Sequence, residues 1–327
     1  MIHTSTPFRI SFFGGGTDYK PFFDEHGGSV LSTTIDKYCY SILRPLPPFF
    51  EYRTQIRYAK TESVKQTEDI EHPLVKNCMK YMNEHNLSIV YDADLPARSG
   101  LGTSSSFAVG LLQGMYALKG KYAGKQQLAS DAIYVERTLC NESGGLQDQI
   151  AAAYGGFNRI DFNSEGFSVN PVVLSQNRKQ ELENHLMLFF TGISRMSHEA
   201  ASAQSAAIKD NTSQLLEMKN LVETAEKIIC SQSDISEFGK LLDYTWKLKR
   251  GLNKVSNDCI DDIYRIAKDA GASGGKLLGA GGGGFMVIFA SPDAQIKIKK
   301  KLENLIYVPF LFENEGSKII HYTPEKN

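Results

Sequence analysis

The sequence predicts an α+β fold in two unlike halves. β-Branched and aromatic runs broken by Gly and Pro fill the first half, and helical periodicity dominates the second. The character changes near residues 175–185, which sets the expected domains at 1–180 and 181–327. A chain of 327 residues is long enough for two ordinary domains, each with a core.

In order, Phe8–Phe13, Ser29–Ile35, Tyr38–Leu43 and Gln55–Ala59 read as strands. A helix over Leu74–Glu84 leads to a strand at Ser88–Asp92. Then Phe107, Ala108, Leu111, Leu112 and Met115 fall on one helical face, so Gly100–Ser106 is a glycine- and hydroxyl-rich loop feeding a helix. Helices follow at Lys125–Leu139 and Gln147–Ala153, and strands at Gly156–Asp161 and Phe167–Val172. The second half opens on an apolar strand, His185–Phe190. Helices at Ser197–Ala207, Ser213–Cys230, Ile235–Leu252 and Cys259–Asp269 come next. A strand pair then flanks four consecutive glycines, Gly281–Gly284, before a helix and two short strands.

Hydrophobic residues make up 42% of the chain and charged ones 22%, with a net charge of −1. Bulk electrostatics therefore give no reason to expect nucleic acid or a membrane surface as partner. The run Lys297, Lys299, Lys300, Lys301 reads as the solvated face of a helix. The five cysteines are scattered singly, which argues against a zinc cluster or disulfide framework and for a reducing compartment. The start, MIHTSTPFRISFF, lacks the signature of a signal peptide, and no apolar run reaches bilayer length. The expectation is a soluble, cytoplasmic protein.

Three stretches can carry chemistry. In PARSGLGTSSS, Gly100 and Gly102 let backbone N–H groups turn inward ahead of a helix N-terminus, an anion cradle suited to nucleotide phosphates. Thr103, Ser104, Ser105 and Ser106 can cap that helix, donate to phosphate or ligate Mg²⁺. A capped helix after a flexible turn is the plainer alternative, and no Lys-Ser/Thr follows to make a Walker A loop. In YVERTLCNESGGLQDQ, Asp148 sits at a helix start and Glu136 on the preceding helix. A Mg-nucleotide site needs two such carboxylates beside a hydroxyl loop, one for metal and one to orient the attacking hydroxyl. In PFRISFFGGGTDY, Gly14, Gly15 and Gly16 permit close backbone approach, and Asp18 can accept from substrate hydroxyls. Finally, Gly279, Gly281 and Gly284 spell G-x-G-x-x-G, but a strand follows them where a dinucleotide fingerprint needs a helix.

Together, in this order and over nearly the whole chain, PFRISFFGGGTDY, PARSGLGTSSS and KLLGAGGGGFMVIF resemble the motifs of the GHMP small-molecule kinases. The resemblance implies a GHMP kinase-like two-domain fold: an N-terminal ribosomal-protein-like α/β domain and a C-terminal ferredoxin-like α+β domain. It implies ATP and Mg²⁺. Position by position, Asp148 matches the catalytic aspartate, and Arg9 a cation that assists phosphoryl transfer. Ser104 and Glu136 match the metal-associated serine and glutamate. The nucleotide loop covers Pro96, Ser99, Gly100, Leu101, Gly102, Thr103, Ser104, Ser105 and Ser106. Gly14, Gly15, Gly16, Thr17 and Asp18 fall on the substrate motif, with Gly281, Gly282 and Gly283 at the domain junction.

Gly15-Gly16 stand where galactokinases carry Glu-His, which argues against galactose. FRISFFGGGTDY, GLGTSSS and KRGLNKVSN look most like kinases of D-glycero-D-manno-heptose 7-phosphate, which phosphorylate the anomeric hydroxyl of an already phosphorylated sugar and so supply activated heptose for surface glycans. Lys20, Arg98, Arg195, Lys249 and Arg250 are the candidates for the distal phosphate, with Lys249, Arg250 and Arg195 carried forward as substrate-binding. A fucokinase-like or other sugar 1-kinase and a non-catalytic sugar-binding relative are the alternatives. The expected partners are ATP and a sugar phosphate, with neither nucleic acid nor membrane; a homodimer is left open.

Overall fold

The computed structural model describes residues 1–193, 208, 210–252 and 255–323. The helix expected over Ser197–Ala207 lies outside the described residues. From the N-terminus the elements are β1 (Ile2–Phe13), α1 (Lys20–His26), β2 (Gly28–Pro45), β3 (Thr54–Arg57), β4 (Thr61–Val64), α2 (Pro73–Met82), β5 (Leu87–Ala93) and α3 (Thr103–Leu118). Next come α4 (Lys125–Ile133), α5 (Gln147–Tyr154), β6 (Phe157–Asn163), β7 (Gly166–Pro171), α6 (Gln176–His185) and β8 (Leu186–Phe190). Then follow α7 (Thr212–Cys230), α8 (Ser236–Gly251), α9 (Asp258–Asp269), β9 (Gly274–Leu277), β10 (Phe285–Phe289), α10 (Pro292–Lys301), β11 (Ile306–Tyr307), β12 (Phe312–Glu313) and β13 (Lys318–Tyr322).

The larger sheet is built on the antiparallel pair β1–β2. Both strands are buried over long runs because α3, α5 and α7 all pack on them. Ser29–Ile35 and Tyr38–Leu43, read as two strands, are one. Pairing passes from Tyr38–Pro7 to Ile35–Phe8 across a bulge at Asp36-Lys37. That charged pair interrupts the alternation without ending the strand. The helix expected over Lys125–Leu139 keeps α geometry to Ile133 and then widens into a π-helical stretch, Tyr134–Leu139. Helix α6 was not expected, being polar almost throughout, yet its start is marked by Ser175, whose Oγ accepts from the Arg178 N–H at 3.2 Å.

The smaller sheet has the order β11-β8-β10-β9. The last strands leave it: β12 pairs with β2 and β13 with β1. The chain thus crosses to the smaller sheet at β8 and returns to the larger one after Tyr307. Between the sheets stands Phe238 of α8, fully buried, with ring centroids 5.5 Å from Phe12, 5.1 Å from Phe13 and 6.0 Å from Phe289. Phe238→Ala removes the ring that joins the two sheets and should cost about 3–5 kcal/mol. Urea unfolding would read that loss; a change no larger than for an exposed aromatic such as Tyr122 would contradict it. Among the described residues, no helix is long and apolar enough to cross a membrane.

Candidate active site

The end of β1, the loop before α3, the start of α5 and the β9–β10 connection converge on one cleft of about 820 Å³. The loop is held from both sides. Leu101 O accepts from the Arg9 N–H at 3.1 Å, and Ser99 O accepts from the Phe285 N–H at 3.1 Å. Gly100 (φ +82°) and Gly279 (φ +73°) meet backbone to backbone. A Cβ on Gly279 would lie 2.6 Å from Gly100 Cα, and one on Gly100 2.5 Å from Leu278 O. No other residue type fits that crossing. Gly102 precedes α3, leaving the first-turn N–H groups of Thr103, Ser104 and Ser105 without helical partners at the cleft wall.

Arg9 and Asp148 form an ion pair at the mouth of this loop. Arg9 Nε donates to Asp148 Oδ1 at 2.8 Å and its Nη2 lies 2.6 Å from the same oxygen. Arg9 Nη1 donates to Gly100 O at 2.6 Å, so one guanidinium ties the carboxylate to the loop. Arg9 is almost wholly enclosed, whereas the Asp148 side chain stays 25% exposed. The carboxylate is thus fixed on one oxygen and open to the cleft, a placement from which it can accept a proton or orient a hydroxyl.

Glu136 lies on the π-helical stretch, buried yet at the cleft wall. It accepts from Ser104 Oγ at 2.9 Å, from Ser105 Oγ at 2.7 Å and from Gln149 Nε2 at 2.5 Å. The acceptor end is built around Asp18, which accepts from the N–H groups of Gly16 at 2.9 Å and Gln147 at 3.2 Å. Gly145 closes over it: a Cβ there would sit 1.9 Å from Asp18 Oδ2. Burial first, and the charge of Asp148 second, push the Asp18 carboxyl above its ordinary pKa.

Of the expected site residues, the structure brings Arg9, Gly15, Gly16, Asp18, Gly100, Gly102, Thr103, Ser104, Ser105, Glu136, Asp148, Lys249 and Arg98 to this cleft. Others serve its frame. Gly14 packs against Ser29 and Val222, and the Thr17 hydroxyl lies between Gly14 O at 2.8 Å and Ser29 O at 2.9 Å, sharing its one proton with them. Leu101 is core, Ser99 is buried behind the loop, and Pro96 is absent from the cleft wall. Ser106 Oγ donates to Pro7 O at 2.9 Å, which turns it from the cleft and ties α3 to β1. Gly281, Gly282 and Gly283 do not line the cleft either. A Cβ on Gly281 would meet Val255 Cα at 2.8 Å and one on Gly283 would meet Ile193 O at 2.5 Å, while the Gly282 N–H donates to Val255 O. Gly279 and Ala280 are the members of that stretch that reach the cleft. Arg250 faces away and donates to Asp261 at 2.7 Å, and Lys20 is mostly exposed beside Asp24. Arg195 lies outside the described residues.

Sequence reading missed three groups at the cleft. Lys276 is buried on β9; it is the first residue of the KLLGAGGGGFMVIF motif, in which only the glycines were given a role. Arg137 donates to Gly145 O at 2.9 Å and so holds the turn over Asp18. Tyr58, His72, Tyr91 and Phe107 make an aromatic wall at the other end, with His72–Phe107 centroids 5.7 Å apart and Tyr91–Phe107 4.5 Å. These aromatics come from four separate elements or loops, so no local spacing marks them.

A glycine-lined anion cradle, a carboxylate held by a guanidinium at its mouth and a second carboxylate among hydroxyls suit phosphoryl transfer to a small molecule. The chain belongs to the GHMP kinases. The family descriptions "GHMP kinases N terminal domain" and "GHMP kinases C terminal" match residues 73–156 and 218–307. The chain is 31% identical to the D-glycero-alpha-D-manno-heptose 7-phosphate kinase of Campylobacter jejuni, covering 97% of this chain and 98% of that one. The bifunctional fucokinase/GDP-fucose pyrophosphorylase of Arabidopsis thaliana is 27% identical over 91% of this chain and 30% of its own length. Among solved structures, a D-glycero-D-manno-heptose 1-phosphate kinase from Bacteroides thetaiotaomicron superposes with a TM-score of 0.81 at 25% identity, covering 99% of this chain and all of that one. The two-domain α+β architecture is that of the family.

Proposed function

We propose that this chain transfers the γ-phosphoryl group of ATP to the anomeric hydroxyl of D-glycero-D-manno-heptose 7-phosphate, giving the 1,7-bisphosphate. The observation that carries the reading is the Arg9–Asp148 pair, which sits between the Gly100–Ser105 cradle and the Asp18 pocket. The cradle takes the nucleotide phosphates on backbone N–H groups and the α3 N-terminus. The aromatic wall gives the base a surface to lie on. Asp148 orients the anomeric hydroxyl and accepts its proton, Arg9 offsets charge on the transferring group, and Asp18 fixes sugar hydroxyls. In a loose transition state such positioning and charge placement carry most of the rate.

The residues present fit Mg²⁺. Ser104 and Glu136 offer hard oxygen donors, and Gln149 Oε1 beside them is buried without a partner. Glu136 as one carboxylate at the cleft wall is in keeping with Mg²⁺, which is ordinarily held by one or two carboxylates together with substrate phosphates. When bound, Mg²⁺ neutralises phosphate charge. Glu136→Gln keeps the shape of this cluster and removes its charge. Turnover should fall at ordinary Mg²⁺ and recover in part at high Mg²⁺, read by titrating the metal; a loss indifferent to Mg²⁺ would give Glu136 a purely structural role.

A coupled ATPase assay across heptose 7-phosphate, fucose, mannose and N-acetylhexosamines tests the reading, with ³¹P NMR of the product locating the new phosphate. Heptose 7-phosphate should be the preferred acceptor. Preference for free fucose would replace this reading with the fucokinase one, and sugar binding without transfer would replace it with a non-catalytic role.

A further inference from the structure

Two lysines on different elements point into the acceptor end of the cleft. Lys249 of α8 is 5% exposed and Lys276 of β9 is 2% exposed, and both line the cavity. Lys249 Nζ donates to Leu277 O at 3.0 Å and Gly279 O at 2.6 Å, and Lys276 Nζ donates to Phe12 O at 2.8 Å. An ammonium has three N–H donors, so one on Lys249 and two on Lys276 are unspent by these bonds. Among the described residues neither lysine has a carboxylate within ion-pair distance; the nearby Arg9 spends its charge on Asp148. The cavity wall here adds Ser11 Oγ and Gln147 Oε1, both buried and without partners. Gly15 keeps the corner open, since the place its Cβ would take is 3.7 Å from Ser11 Oγ and 3.8 Å from Gln147 Nε2.

Burying two cations with no anion is costly unless a ligand supplies one. We infer that Lys249 and Lys276, with Ser11 beside them, form a subsite for a phosphate carried by the acceptor, distinct from the cradle that takes the phosphates of the nucleotide. The inference rests on the reading of the substrate as a sugar phosphate. It assigns recognition of the distal phosphate to Lys276 and Lys249 and removes Lys20 and Arg250, which face elsewhere, from that role.

The charged groups acting on the pair are Arg9 on β1 and Asp18 after it. Burial, then Arg9, pulls Lys249 down to about 7. Burial, then Lys249 and Arg9, pulls Lys276 well below the usual lysine range, with Asp18 opposing. Above pH 7 the free protein therefore holds Lys249 largely uncharged. An arriving dianion raises both pKa values, so binding takes up protons.

The test is calorimetry on the full chain without nucleotide, using heptose 7-phosphate, mannose 6-phosphate and the two dephosphorylated sugars, together with steady-state KM values. The wild type should favour each phosphorylated sugar over its free form. Lys276→Met and Lys249→Met should each cut that preference on the order of 10- to 100-fold, the worth of a charge-assisted contact, while the KM for ATP of Lys276→Met stays put and reports an intact fold. A parallel rise in the KM for ATP of Lys276→Met would assign that lysine to the γ-phosphoryl group and overturn the inference. So would an unchanged preference. Should either variant fail to fold, wild-type titrations at pH 8 in two buffers of different ionisation enthalpy decide: net proton uptake with the phosphorylated sugar alone supports the subsite, and none overturns it. If mannose 6-phosphate proves the better acceptor yet its preference collapses in Lys276→Met, the subsite stands and the heptose reading falls. If heptose 7-phosphate is turned over with its preference intact in both variants, the heptose reading stands and the subsite falls.

Discussion

Asp148→Asn should lower turnover by about 10²- to 10⁴-fold, the usual worth of a positioned acid or base, with the KM for ATP unchanged. Asn has the size of Asp and its Oδ1 can still accept from Arg9 Nε, so the frame of the cleft survives. What disappears is the charge that faces the cleft beside an almost fully enclosed guanidinium. Two losses follow. The anomeric hydroxyl loses an acceptor for its proton, and Arg9 loses its counter-charge, so its attraction is no longer balanced when the γ-phosphoryl group approaches. The signature is a fall in kcat and kcat/KM together, which marks an interaction made in the transition state. Turnover within a few-fold of wild type, on protein that still binds ATP, would remove Asp148 from the chemistry.

Gly279→Val should be as damaging by another route, through the nucleotide. At φ +73° a β-branched residue is strained, at about 1–3 kcal/mol for the backbone alone. Its Cβ must also displace Gly100, 2.6 Å away, and with it the backbone of the phosphate cradle. Arg9 would feel the same displacement, because Gly100 O accepts from it. We expect a lower Tm and a raised KM for ATP together. Gly120→Val is the control, since Gly120 also has positive φ (+63°) but nothing within 4 Å of its Cβ position. If the two variants behave alike, strain and not the crossing of the two loops accounts for the loss.

The parts of this site legible in the sequence are those encoded by a local constraint. Strand, glycines and helix start occur within a few residues of one another around Gly100–Ser106 and around Asp148, and each motif could be placed on its element before any contact was known. Lys276 opens the KLLGAGGGGFMVIF motif, yet nothing local gives it a role. In a chain a lysine reads as solvated, because Lys is usually exposed, and only the meeting of β9 with the end of β1 shows that it is enclosed. The four-glycine run misled for a related reason. Gly281, Gly283 and Gly284 are required by close approaches, but the partners of Gly281 and Gly283 are Val255 and Ile193, distant in sequence and behind the cleft wall. The merging of two expected strands into β2 and the return of β13 to β1 likewise depend on pairing, which local patterning does not specify.

That return of β13 has a kinetic consequence. Ile2 pairs with Tyr322, and His3 with His321, so one edge of β1 has no partner until residues 318–322 have been synthesised. Contacts of such separation close late and slowly. During synthesis the first half must therefore carry a bare strand edge, a template for pairing with another copy. Residues 318–322 act as the closing strip of the larger sheet, and that edge stays open to a second copy until they arrive.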